Sequence, residues 1–150
     1  MSRIIKILLI VLCVLILLLF SVVIISFLYV NKSNNLNPEE TIKKYMEYWE
    51  DNSIIRLKSL ESKEAEFVDV IRNSHKGIKI ENLRIKNVTN EEIDDIVEQY
   101  NGRFSRENLK IYQVKFYIIS DNDDLNGEHT FDVRLVHERK GWLVLSFGNP

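Results

Sequence analysis

At 150 residues the chain has room for one ordinary domain plus an attached segment, and no room for two separate cores. Its charge is unevenly placed: residues 7–30 carry none, and with Arg3, Lys6 and Lys32 set aside 17 basic residues stand against 22 acidic ones, a net of −5. That balance excludes a basic nucleic-acid footprint, and a single cysteine, Cys13, excludes an intrachain disulfide.

The apolar run comes first. Its 24 residues would form a helix about 36 Å long, against a hydrocarbon core of about 30 Å, so the sequence predicts a transmembrane signal-anchor over residues 1–30 with a short basic tail. A secretory signal would stop after about 7 to 15 apolar residues and offer a small-x-small cleavage site. Ser21-Val22-Val23 and Ser26-Phe27-Leu28 each supply one small residue, and Ile10-Val11-Leu12 before Cys13 lacks the small residues of a lipoprotein signal. Cleavage and acylation at Cys13 are therefore the lesser alternatives. Arg3, Lys6 and the terminal amine favour a cytoplasmic N-terminus and an external C-terminal domain at the cell membrane.

Residues 31–37, Asn-Lys-Ser-Asn-Asn-Leu-Asn, are polar and aperiodic and read as a tether, with the domain following over 38–150. Asn37-Pro38-Glu39-Glu40 combines a capping residue, a proline at the first helical position and a glutamate at the third, which predicts a helix over 38–51. Ile42, Tyr45, Met46 and Trp49 make its apolar face. Asn52-Ser53 offers a second cap, followed by a short helix with Ile54, Ile55, Leu57 and Leu60. A third helix is predicted over 63–74, with Phe67, Val68 and Ile71 inward and Gly77 beyond its end.

From Ile78 the apolar period falls to two. Ile78 and Ile80 share one parity and Leu83 and Ile85 the other, so one extra residue near Glu81-Asn82 predicts a β-bulge that bends the strand. Helical spacing returns over 90–100, with Ile93, Ile96, Val97 and Tyr100 in register and Gly102 as the stop. The last third reads as an antiparallel meander: Tyr112, Val114, Phe116 and Ile118 alternate with polar residues, and so do Phe131, Val133 and Leu135. Residues 142–147 are apolar on both faces and belong to a central or covered strand.

This order is α+β: helices first, then a bent strand and an antiparallel meander ending in GWLVLSFGNP. On the opening helix NPEETIKKYMEYW and the Gly141-Trp142 hairpin it resembles the nuclear transport factor two-like, or cystatin-like, superfamily, and within it a group of small exported bacterial domains of unknown function. The resemblance implies a curved sheet wrapped on the first helix of the domain, with a cone-shaped cavity between them. In some relatives that cavity is a ligand or enzyme site; in others the outer sheet makes protein contacts. The layout is also similar to the membrane-anchored assembly subunits of secretion and conjugation machines.

No paired-cysteine metal motif, phosphate loop or nucleophile elbow occurs in the sequence. His129 and His137 share a strand parity but stand about 27 Å apart along it, too far for one metal or one proton relay. The aspartates at 121, 123 and 124 miss the calcium-loop pattern, with Asn122 at its first place and Val133 at its twelfth. No cofactor is expected, and no nucleic acid. The sequence thus predicts a non-catalytic domain, held to membrane lipid by its N-terminal helix, that binds a protein, an envelope component or a second copy of itself. Tyr117 and Ile119 on the outer sheet are the contact candidates. The alternative is a ligand binder or enzyme whose cone is lined by Tyr45, Trp49, Tyr112 and Phe116.

Overall fold

The computed structural model describes residues 3–30, 35–66, 77–89, 93–121 and 123–148. The long helix α1 covers Arg3–Val30. From Ile10 to Ile25 its side chains are exposed. Among the described residues no helix is long and apolar enough to cross a membrane. The α1 backbone runs through 28 residues, or about 42 Å.

Helix α2, Pro38–Glu50, starts where its cap dictates. The Asn37 side chain accepts from the Glu40 amide at 2.9 Å, and the Glu40 carboxylate accepts from the Asn37 amide at 2.9 Å, so two otherwise orphaned donors are satisfied reciprocally. It ends on Asn52 at φ 51°, where the Ser53 amide reaches back to the Tyr48 carbonyl at 2.9 Å. Ile42, Tyr45, Met46 and Trp49 are all buried, as their spacing requires. Helix α3, Ile54–Ser59, buries Leu57 and delivers the chain to strand β1, Glu61–Glu66.

Strand β1 corrects the expectation of a helix from residue 63. Glu-Ser-Lys-Glu-Ala-Glu is a helix-forming composition, but pairing overrides propensity here. The apolar strand β5, Gly141–Gly148, is bonded to β4, Gly127–Glu138, along one edge, and its other edge is satisfied by β1. The Val144 amide donates to the Leu60 carbonyl at 2.7 Å where this parallel pairing begins. The remainder of that expected helix, with Phe67, Val68 and Ile71, lies outside the described residues, as does His75.

Strand β2, Lys79–Asn87, and strand β3, Leu109–Ile119, complete a five-stranded sheet of order β1-β5-β4-β3-β2. The sheet is mixed and not wholly antiparallel, because β1 runs parallel to β5. The expected bulge is present: the β2–β3 register shifts between Glu81 and Arg84, and Asn82 takes φ 56° to absorb the extra residue. Ile80, Leu83 and Ile85 can thereby all pack against the main core.

Both faces of the sheet are covered in part. On one, α2 lies over Val114, Phe116, Val133, Val144 and Phe147. On the other, helix α4, Ile93–Gln99, packs Ile93 and Ile96 on Leu109, Ile111, Val136, Leu143 and Leu145. This second core explains why β5 is apolar on both sides. Helix α4 closes through two left-handed residues, Asn101 at φ 52° and the expected Gly102 at φ 68°, with the Gly102 amide bonded to the Val97 carbonyl at 2.9 Å.

Candidate functional site

The interior between α2 and the sheet is built from rings. Trp49, 3% exposed, meets the edge of Phe116 at 5.9 Å and 85° and that of Phe147 at 5.9 Å and 70°. Tyr45 lies 5.6 Å from Phe147, and Phe131 bridges Phe116 at 5.5 Å and Phe147 at 5.4 Å. Edge-to-face contacts at these separations suit the ring quadrupoles and fill the layer with side chains. Three of the four pocket candidates, Tyr45, Trp49 and Phe116, are thus brought together, and they pack against one another. Tyr112 belongs to the same core but sits nearer the start of α2, where Glu39 lies in range of its phenol.

Few polar groups reach this layer. The Tyr45 hydroxyl donates to Glu61 Oε1 at 3.0 Å, and both residues are buried. Tyr112 holds its phenolic proton above the ordinary value of 10.0, chiefly because burial penalises the phenolate and secondarily because Glu39 repels it. It is therefore a poor proton acceptor near neutral pH. His129 stacks on Phe116 at 5.9 Å and 24°, and its Nε2 donates to the Leu125 carbonyl at 2.9 Å. His137 packs its ring on Trp142 at the far end of the strand. Among the described residues no group of three or more His, Cys, Asp or Glu is placed to hold a metal ion.

Outside, the sheet face that α4 leaves uncovered carries the other candidates. Tyr117 is 42% exposed and Ile119 43%. Residues directly opposite on neighbouring strands project to the same side. Tyr117 is thus flanked by Glu81 of β2 and Glu128 of β4, and Ile119 is opposite Lys79. Glu81 is paired with Lys79 at 2.7 Å and Glu128 with Lys115 at 2.7 Å, so the two apolar groups stand inside a frame of ion pairs.

A separate cleft of about 380 Å³ opens beside α4, lined by Thr89, Ile93, Arg106, Glu107 and Lys110. The Arg106 guanidinium grips the Asp94 carboxylate through two bonds, and the Thr89 hydroxyl accepts from the Ile111 amide, so two of the polar lining residues are held by neighbours outside the cleft. The tripeptide Asn87-Val88-Thr89 is part of the same turn, the Thr89 amide donating to Asn87 Oδ1 at 3.0 Å. Sequence reasoning did not find this cleft. Its lining comes from three separate segments that only α4 and the sheet bring together.

Compared with family models, curated proteins and solved structures, the chain matches none.

Proposed function

We propose that the chain is a membrane-anchored, non-catalytic binding domain of the nuclear transport factor two-like type, external to the membrane, that engages a protein through the outer face of its sheet. The observation that carries the reading is a contrast between the two sides of one strand. Inward-pointing Phe116 is locked among Trp49, Phe131 and His129, whereas the next residue outward, Tyr117, is a large exposed ring beside exposed Ile119. An exposed aromatic framed by polar pairs is the pattern of a protein-contact hot spot. The ligand-pocket reading of the cone has less support, since its candidate lining residues pack on each other.

The anchor part of the reading is supported by the 28-residue helix α1 and by a charge-free sequence over residues 7–30. Each branched or leucine residue near a bilayer centre favours insertion by about 0.3 to 0.6 kcal/mol. Exposed to water, the same side chains would aggregate.

The test uses the full chain, purified in detergent from its own membranes, beside a Tyr117→Lys/Ile119→Lys variant. A partner recovered in constant proportion with the unaltered chain and lost from the variant, with melting temperature unchanged, is the expected result. Equal recovery from both chains overturns the proposal.

A further inference from the structure

We infer that helix α3 is a second membrane contact, in which Ile54 and Ile55 enter the interfacial layer of the bilayer beside the end of α1 and Arg56 and Lys58 meet anionic headgroups. This rests on the reading of α1 as the anchor and adds how the domain sits against the lipid.

Ile54 is 46% exposed and Ile55 47%. Among the described residues outside α1 they share that degree of exposure with Tyr117 and Ile119 alone of the large apolar side chains. They differ from that pair in position, because α3 lies against α1. A six-residue helix carrying Arg56 and Lys58 is too short to span and too charged to follow α1 into hydrocarbon. With α1 in the bilayer, its contact with α3 therefore falls where α1 leaves the lipid. Chain length agrees, since residues 31–37 separate α1 from α2 and reach at most about 25 Å when fully extended.

The chemistry of α3 fits an acidic interface. It contains two adjacent isoleucines, two cations and no acid. The Arg56 guanidinium rests over the Tyr48 ring at 5.6 Å, and Lys44 approaches the same ring at 5.7 Å, which gathers positive charge around an amphipathic aromatic. Asp51, 3.8 Å from Arg56, and Glu47, 2.7 Å from Lys44, offset part of that charge, though both acids are exposed. Helices of this character settle about 5–10 Å into the headgroup and acyl boundary, with apolar groups down and cations at the phosphates.

The experiment places the full chain in vesicles containing an anionic lipid, with Cys13→Ser and a single new cysteine at Ile55→Cys, or at Asp95→Cys on α4 as the reference. Each carries an environment-sensitive fluorophore, and quenching by nitroxide-bearing lipid is read. The expected result is quenching at position 55 several-fold greater than at 95, reduced by adding Arg56→Glu/Lys58→Glu. Equal quenching at 55 and 95, in a chain that stays in the membrane through alkaline extraction, overturns the inference and leaves the anchor standing. Release of the chain by alkaline extraction overturns the anchor and this inference together.

Discussion

Replacing Trp49 with alanine tests whether the cone is a packed core or a binding cavity. Trp49 is almost wholly buried and touches two further rings, Phe116 and Phe147, each at 5.9 Å. Truncating a buried tryptophan costs about 3–5 kcal/mol when the surroundings relax only partly. Domains of this size hold about 5–15 kcal/mol in all, so the variant should survive at the lower cost and unfold near room temperature at the higher. Taking about 4 °C for each kcal/mol, the melting temperature should drop by roughly 12–20 °C. Trp142 is then the single remaining tryptophan, and its fluorescence follows unfolding when no indole is present, with circular dichroism read in its place when indole is added. Indole should restore part of the loss by occupying the apolar void, and should leave the unaltered chain's melting temperature unchanged. A loss below about 1 kcal/mol, or an indole effect on the unaltered chain as large as on the variant, would show space around Trp49 that the packing argument denies.

Asn37→Ala should cost about 1 kcal/mol in urea unfolding, because the Glu40 amide loses its side-chain acceptor, whereas Asn37→Ser should retain most of the stability. At the bulge, Asn82→Gly should be close to neutral, while Asn82→Ala should lose about 1 kcal/mol, because the short polar side chain of asparagine tolerates φ 56° and that of alanine does not; thermal unfolding of the pair reads the difference. The raised Tyr112 pKa means the folded state holds the phenolic proton more tightly than the unfolded state. Its contribution is present below about pH 10 and disappears as pH rises through the folded value, so the stability gap between the chain and Tyr112→Phe should narrow or reverse as pH is raised above about 10.

The parts of the fold legible in the sequence are those set by local chemistry. The cap at Asn37, the apolar face through Trp49 and the parity slip at Glu81-Asn82 each involve neighbours in sequence, and each lies where its residues place it. Strand β1 was not legible, because its state is decided by the vacant edge of β5, some eighty residues later. What covers the outer face was not legible for a related reason. Leu109 and Ile111 carry the apolar signal of a covered surface, but the helix that covers them is known only once α4 is seen to cross behind β5. Tyr45, Trp49 and Phe116 were legible as a cluster; periodicity alone does not tell a lined cavity from a filled one.

With one sheet face filled by α2 and much of the other closed by α4, the uncovered exterior around Tyr117 and Ile119 is small. Two apolar side chains inside a frame of Lys79, Glu81, Lys115 and Glu128 resemble the centre and rim of a transient contact more than the broad apolar surface of an obligate one. On the proposed reading the anchor compensates for that weakness. A chain held to a bilayer meets a partner in the same membrane at an effective concentration set by its tether and not by bulk dilution, which raises occupancy with no added contact. Contact of α3 with the lipid would raise it further by fixing the angle at which the sheet face is presented, since each rotation prevented is entropy that binding no longer has to remove. Releasing Ile54 and Ile55 from the interface should therefore weaken recognition at Tyr117 and Ile119 without altering a single group that touches the partner.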